Sequence, residues 1–327
     1  MIIDGTSQSG YSGTPLITID GSGITGDGLT LDNSGSTIQG LVISGFTGNG
    51  IVLGGSGGHT IQGNWIGLNA AGTSALANTA DGIAINAGSN GNLIGGPLTS
   101  QRNVIAGNGD DGISVRSSNN SILGNWIGLS ATGTSLGNTG DGISIEGSAG
   151  ANTIGSVATG QGNRISFNGG RGVSVAGSSN VGIVIRGNDI SANSGLGIDL
   201  GANGITVNDL GDADTGANQL VNKPVLFDAT PGTSSTTIRG TFTGAANTAV
   251  TIDFYAATTP GSATAPQANT YLGTTSVTTD AYGVASFSAS VVTVVGYNQA
   301  LTATATVSAT GTSEFATPVP AAPPWNK

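Results

Sequence analysis

Short runs of alternating apolar and polar residues recur along the first 200 residues, separated by Gly, Asn and Ser. Four runs share one phrase at an interval of 30 residues, at 81–85 (DGIAI), 111–115 (DGISV), 141–145 (DGISI) and 171–175 (RGVSV). Alternation of this kind is typical of short β-strands, and an interval of 20–50 residues is typical of a solenoid whose circuits stack. The pattern therefore predicts an elongated, all-β solenoid.

Each circuit resolves into three short strands. In the circuit that begins at Asp111 they lie at 112–115, 120–124 and 125–129, and each places aliphatic side chains on one face. The pattern predicts about seven coils over residues 1–200. An asparagine opens most third strands, and we expect these amides to bond up and down the stack as a structural ladder. The members of this ladder are Asn64, Asn103, Asn125, Asn163 and Asn188.

The repeat ends after Leu200. Residues 201–223 form a polar connector, and residues 224–316 contain alternating runs rich in Thr, Ala, Val and Tyr, which predict a β-sandwich. Residues 317–327 are proline-rich and are expected to be extended or disordered.

Several segments resemble the repeat of bacterial surface and secreted right-handed parallel β-helix proteins. They are residues 63–68 (GNWIGL), 71–73 (AGT) with 81–83 (DGI), and 196–201 (LGIDLG) with 208–216 (NDLGDADTG). Residues 252–255 (IDFY) and 302–306 (TATAT) are similar to the Ig-like module that follows in those proteins. The resemblance implies a right-handed β-helix, an Ig-like β-sandwich and an extracellular or cell-surface location. Relatives usually have sequence ahead of the first strand, so an uncovered coil end predicts either a shortened chain or head-to-tail self-assembly.

Composition narrows the range of partners. Eighteen acids against eight bases give a net charge of −10, which disfavours nucleic acid and anionic membranes as ligands. No segment is apolar over the length of a membrane span, so no membrane insertion is expected. The absence of cysteine excludes disulfides, a thiol nucleophile and thiolate metal ligands.

A row of acids begins the first strands down the stack, with Asp81, Asp111 and Asp141 followed by Arg171. Carboxylates about 5 Å apart should repel, which raises the pKa of at least one of them. One interpretation is a cation or sugar site that includes Asp81, with Asp110 adding a further carboxylate. The other is that each aspartate makes an Asx turn with its own glycine and faces water.

The same residues are the candidates for catalysis. Asp110 and Asp111 resemble the paired aspartates of β-helix hydrolases, and Asp111, Asp141 and Arg171 are the group types that a calcium-dependent lyase needs. However, the one histidine, His59, lies upstream of the pair and is interpreted as a turn residue. No complete catalytic set can be assigned.

Two further groups could bind ligands. Trp65 and Trp126 occupy the outward position of third strands two coils apart, so they could form a stacking platform for a sugar polymer or could be covered by the long loops that follow. Oxygen-bearing side chains within ten residues predict a calcium site that would stiffen the junction with the sandwich. These side chains are Asp209, Asp212, Asp214 and Asn218.

The leading hypothesis is an extracellular structural or adhesive solenoid that assembles end to end into fibres or a surface layer. The alternatives are a polysaccharide lyase or glycoside hydrolase, and a non-catalytic glycan-binding protein that uses the outer face of the helix.

Overall fold

The computed structural model describes residues 1–257, 265–297 and 299–322, and its only helices are two 3₁₀ segments within those ranges, Thr99–Gln101 and Ala217–Leu220. Seven coils stack along one axis, and each contributes one strand to each of three parallel seven-stranded sheets, A, B and C. The predicted parallel coil stack is confirmed. Within the described residues, no helical segment has the length and apolarity that a bilayer crossing requires.

The strands of the coil stack are two to four residues long. Sheet A contains β1 (Ile2–Asp4), β4 (Thr37–Gln39), β7 (Thr60–Gln62), β10 (Leu93–Gly95), β13 (Ser121–Leu123), β16 (Thr153–Ile154) and β19 (Val184–Ile185). Sheet B contains β2 (Ile17–Asp20), β5 (Leu41–Ser44), β8 (Trp65–Ile66), β11 (Val104–Ile105), β14 (Trp126–Ile127), β17 (Arg164–Ser166) and β20 (Asp189–Ser191). Sheet C contains β3 (Leu29–Leu31), β6 (Ile51–Leu53), β9 (Ile83–Ile85), β12 (Ile113–Val115), β15 (Ile143–Ile145), β18 (Val173–Val175) and β21 (Ile198–Leu200).

Isoleucine fills the core of the coil stack. Strands this short can direct few side chains inward, and a β-branched residue packs well on a pleated surface. Sheets A and B accordingly stack an isoleucine from every coil in register. In sheet A these are Ile3, Ile38, Ile61, Ile94, Ile122, Ile154 and Ile185. In sheet B they are Ile19, Ile43, Ile66, Ile105, Ile127, Ile165 and Ile190.

Buried amides form a ladder at each corner between sheets. The predicted ladder lies between sheets A and B, where each asparagine Nδ2 donates to the Oδ1 of the next at 2.9–3.1 Å. Two more ladders occupy the other corners and satisfy polar groups that would otherwise be buried without partners. Their members are Asn78, Asn108, Asn138, Asn168 and Asn193 between sheets B and C, and Asn92, Asn120 and Asn152 between sheets C and A.

The C-terminal part consists of two antiparallel sheets that enclose a second core. One contains β22 (Val225–Pro231), β23 (Thr236–Thr243) and β26 (Val284–Val291). The other contains β24 (Ala249–Ala257), β25 (Thr270–Thr278), β27 (Ala300–Val307), β28 (Gly311–Thr312) and β29 (Val319–Pro320). Phe254 and Phe287 meet across this core with ring centroids 5.8 Å apart, as expected of a sandwich. Within the proline-rich segment, Val319–Pro320 pairs with β27, and residues 323–327 lie outside the described residues.

The C-terminal sheets cover the last coil. Gln267 Oε1 accepts the N–H of Asn193 at 2.9 Å, Thr312 Oγ1 accepts that of Ile185 at 2.9 Å, and Glu314 Oε1 accepts that of Leu200 at 3.2 Å. Tyr255 and Phe315 extend the core of the coil stack. Head-to-tail assembly requires a free C-terminal coil end, and in this arrangement the chain itself occupies that end.

Candidate functional site

The aspartates that begin the sheet C strands form a ladder of their own. The Oδ1 of Asp81 accepts the N–H of Asp111 at 3.1 Å, that of Asp111 accepts the N–H of Asp141 at 2.6 Å, and that of Asp141 accepts the N–H of Arg171 at 2.6 Å. Asn49 does the same for Asp81 at 3.0 Å. These side chains therefore bond to the next coil instead of making an Asx turn beside their own glycine, and they are only partly exposed.

Burial perturbs these carboxyls. It raises the pKa of Asp111 to about 7 and that of Asp81 to about 6, although the N–H of the next coil opposes the shift in both. The charges of neighbouring acids raise both pKa values further, and the pKa of Asp141 is also raised, mainly by burial. The prediction that repulsion in this row contributes to a raised pKa is confirmed, but burial is the larger cause.

Asp110 is exposed and lies close to Asp81 and Asp111 of this row. One oxygen of each of Asp81, Asp110 and Asp111 lies within 4.8 Å of the others. The structure thus brings together three of the residues proposed for a ligand or catalytic site. Both Asp81 and Asp111 already use one oxygen to hold the next coil.

Arg171 is committed to a local ion pair. Its Nε lies 2.5 Å from Asp199 Oδ2, its Nη2 donates to Ala202 O at 2.9 Å, and its Nη1 lies 3.7 Å from Asp141 Oδ2. Burial lowers the pKa of Arg171, but the bonds and charges of Asp199 and Asp141 outweigh it and the pKa is raised. A guanidinium held in this way stays protonated, so it does not suit the proton-accepting role of a lyase base.

His59 is fully buried at a coil corner. Its Nδ1 accepts the N–H of Ser36 at 3.2 Å, and its backbone N–H donates to Asn92 Oδ1 at 2.9 Å. It therefore continues the ladder between sheets C and A and faces no cleft, in agreement with its interpretation as a turn residue.

The two tryptophans flank Val104 in register on the outer side of sheet B. Both are half-buried, and each lies against a glycine of the loop that follows it. A methyl group at Gly72 would lie 2.6 Å from Trp65 Cζ3, and one at Gly133 would lie 3.6 Å from Trp126 Cη2. The loops thus cover part of each ring, so the rings do not form an open platform.

A recess remains between the two rings. The guanidinium carbon of Arg102 lies 4.3 Å from the ring centroid of Trp126. Thr14, Thr99 and Ser100, which carry hydroxyl groups, line the same recess. We name these residues, together with Trp65 and Trp126, the sheet B recess. Arg102 was not among the predicted site residues, because its role depends on contacts that no local motif encodes.

The predicted calcium ligands fall into two places. One oxygen of each of Asp209, Asp212 and Asp214 lies within 4.8 Å of the others. Asp212 Oδ1 accepts the N–H of Asn222 at 2.8 Å, and burial raises the pKa of Asp212 to about 6 against that bond, with added repulsion from the other two acids. The Oδ1 atoms of Asp209 and Asp214 are shielded from solvent and have no hydrogen-bond partner among the described residues. Three carboxylates with orphaned oxygens fit a hard cation.

Asn218 is engaged elsewhere. Its Oδ1 accepts the N–H of Ile183 at 2.9 Å, and its Nδ2 donates to the carbonyls of Ile183 and Thr312 at 2.8 and 3.0 Å. The structure therefore places this amide at the covered end of the coil stack and not with the carboxylates.

Comparison with known proteins identifies the coil stack. No curated protein matches the sequence. The family model described as "Right handed beta helix region" matches residues 10–209, which is more than half of the chain and spans strands β2 to β21. The protein therefore belongs to the right-handed β-helix family.

Proposed function

We propose that this protein is an extracellular or cell-surface solenoid with an adhesive role, and that it binds polysaccharide at the sheet B recess without cleaving it. The observation that carries the proposal is that two tryptophans and three hydroxyl-bearing residues line one concave part of the helix surface. The parts of the two rings that the loops leave open can contact the C–H groups of a sugar, and hydroxyl-bearing side chains can exchange hydrogen bonds with it, so this combination suits a glycan.

The state of the candidate catalytic residues favours binding over cleavage. Asp111 and Asp141 hold successive coils together, and Arg171 is paired with Asp199. The end-to-end assembly considered from the sequence is not part of this proposal, because Gln267 and Glu314 occupy the C-terminal coil end.

Retention on immobilised neutral and acidic polysaccharides tests the proposal. Ser100 is exposed at the rim of the recess, so Ser100→Tyr should fill it and shorten retention at least about tenfold, the equivalent of about 1.4 kcal/mol. Ser288→Tyr, on an exposed position of β26, is the matched control and should be retained like the wild type. Equal retention of all three proteins, or retention of none, would contradict the proposal.

A glycoside hydrolase is the second candidate, and one observation favours it. Exposed Asp110 stands beside Asp111, whose raised pKa of about 7 suits a general acid next to a carboxylate base. New reducing ends released from any polymer of the panel, and lost in Asp110→Asn, would support cleavage; their absence in the wild type would leave the binding role alone.

The strand order of the C-terminal part supports an Ig-like assignment, with the module acting as a spacer or docking domain. The first, second and fifth strands form one sheet, and the fourth, third, sixth and seventh form the other. Immunoglobulin-type sandwiches share this division, apart from the sheet to which the fourth strand belongs.

We also propose a calcium ion at Asp209, Asp212 and Asp214. The two orphaned oxygens support it, since a cation would supply the partner that each of them lacks. The ion would act on structure, because Asn222 bonds to residues 209 and 212 within the connector and also donates to Thr243 O of β23 at 3.0 Å.

A further inference from the structure

Among the basic residues that the structure describes, Arg102 differs from the others in its lack of a carboxylate partner. All Lys and Arg residues except Lys327 lie in the described part of the chain, and all but one of these have a carboxylate oxygen within 3.7 Å. Arg102 has no such partner among the described residues. The chain has 18 acids for 8 bases, so the missing partner does not reflect a shortage of acids.

The surroundings of Arg102 leave its guanidinium without a compensating negative charge among the described residues. The group is half-buried against the Trp126 ring, and its Nε is shielded from solvent without a hydrogen-bond partner among the described residues. Desolvation lowers the pKa of Arg102, and no acid counters it. The positive charge of Arg102 is therefore uncompensated within the described residues, and an anion that reaches the Nη groups would compensate it.

The backbone holds Arg102 in place on both sides. Its N–H donates to Thr99 O at 3.3 Å, which closes the 3₁₀ turn Thr99–Gln101. The next residue, Asn103, belongs to the amide ladder between sheets A and B and accepts from Asn64 Nδ2 at 3.1 Å. With its backbone fixed and its guanidinium against the Trp126 ring, Arg102 has less conformational entropy to lose when an anion binds.

We infer that the sheet B recess recognises the carboxylate of an acidic sugar, with Arg102 as the residue that selects the charged polymer over a neutral one. A planar guanidinium matches a carboxylate with two parallel hydrogen bonds. The rest of the sugar would lie in the recess that Thr14, Thr99, Ser100 and Trp65 line together with Arg102. This inference rests on the proposed function and adds the class of glycan to it.

The net negative charge of the protein makes a preference for an acidic polymer straightforward to interpret. A net charge of −10 repels polyanions in general, so any acidic polymer that binds must do so through a local contact. Non-specific attraction therefore cannot imitate the expected result.

The experiment compares affinities of the full chain for polygalacturonate, for the same polymer with its carboxyls reduced to alcohols, and for polyglutamate. We expect the acidic sugar polymer to bind most tightly. Arg102→Gln should weaken that binding about 10- to 100-fold and weaken binding of the reduced polymer much less, so the ratio of the two affinities should fall at least about fivefold. Arg102→Lys should recover part of the loss, because lysine keeps the positive charge but cannot make the two parallel hydrogen bonds of a guanidinium. Arg116→Gln, in an exposed ion pair with Glu146, is the control.

The outcomes separate the two proposals. Binding of no polymer by the wild type would overturn the proposed function and this inference together. Equal binding of the acidic and reduced polymers, or an unchanged ratio of the two affinities in Arg102→Gln, would overturn this inference alone. Equally tight binding of polyglutamate would overturn the assignment to sugars. The ratio also protects the test against partial misfolding of a variant, since misfolding weakens both affinities.

Discussion

At the scale of single residues, asparagine and aspartate make the same hydrogen bond between coils, but they differ in the free energy that their burial costs. Asn49 and Asp111 both use Oδ1 to accept the N–H of the residue one coil further along. Asparagine does so without charge, whereas the carboxylate must be desolvated beside other acids. The row therefore lowers the stability of the fold at pH values where its carboxyls ionise.

Asp111→Asn tests this cost. Because burial raises the folded-state pKa of Asp111 from 3.8 to about 7, the folded protein binds more protons than the unfolded chain between about pH 4 and 7. Stability conferred by this protonation is present at low pH and is lost as the pH rises through that window. The variant should thus gain about 1–2 kcal/mol in free energy of unfolding at pH 8, a figure discounted for partial exposure, and its stability should fall less with pH.

Denaturant unfolding at pH 4 and pH 8 provides the measurement. Asp32→Asn, at an exposed position in a coil turn, is the control and should change neither value. A loss of stability in Asp111→Asn at pH 8 would mean that the carboxylate is charged and compensated there, as a bound cation would make it.

The sequence predicted this row and its repulsion, but not its bonding. Residues that recur every 30 positions must stack, so the row itself could be predicted. The Asx-turn alternative was wrong because a turn is recognised from neighbouring residues, whereas a bond between coils depends on how successive coils are placed. The pairing of Arg171 with Asp199, 28 residues away, was missed for the same reason. Arg102 was missed because the absence of a partner is a property of the whole fold.

At the scale of elements, the corners specify the coil as strongly as the strands do. A strand of two or three residues has little register information of its own. The asparagines supply it, because each amide bonds both to the amide of the next coil and to a backbone carbonyl of the preceding coil. The sequence revealed one ladder through the repeated Asn before the third strand. The second was present as Asn78, Asn108, Asn138 and Asn168 at intervals of 30, inside segments that resembled plain loops.

The connector should respond to calcium. Addition of calcium to about 100 times its dissociation constant should raise the free energy of unfolding by about 2.7 kcal/mol if the ion binds the folded state alone. Asp212→Asn removes one carboxylate and should abolish most of that gain. Calorimetric titration and thermal unfolding with and without a chelator measure both effects.

The controls separate this site from the aspartate row. Asp111→Asn should retain the calcium response, whereas Asp214→Asn should lose it. An equal loss in Asp111→Asn would place the ion at Asp81, Asp110 and Asp111 instead, and a wild-type protein indifferent to calcium would eliminate the proposed ion.

At the scale of the molecule, the coil stack and the sandwich share contacts that make them one unit. Arg186 at the last coil donates to both carboxylate oxygens of Asp253 at 2.6 and 2.7 Å, and Asp253 is fully buried. Tyr255 Oη accepts the N–H of Gly187 at 3.0 Å in the same interface. The boundary drawn from composition at residue 200 marks a change of pattern, while the apolar core continues across it.

Asp253→Ala should separate the unfolding of the two parts. Removal of one member of a buried ion pair strands the other and typically costs about 3–5 kcal/mol. We expect the heat-capacity trace to change from one transition to two, with the sandwich melting first. Glu146→Ala, which breaks the exposed pair with Arg116, should shift stability by less than about 1 kcal/mol and keep one transition. A single transition in both variants would show that the bonds of Gln267, Thr312 and Glu314 to the last coil couple the parts without the ion pair.

The way in which the last coil is covered also affects how the number of coils can change. Gln267, Asn218 and Glu314 bond to the final coil through the same kinds of backbone and amide groups that each coil offers to its successor. The connector and the sandwich thus substitute for an eighth coil, and apart from the Arg186–Asp253 pair they bond mainly to backbone N–H groups that every coil presents. A circuit duplicated or deleted between the recess and the final coil would leave both surfaces unchanged, so the recess and the sandwich can be moved apart or together by whole steps of about 4.8 Å without redesigning either.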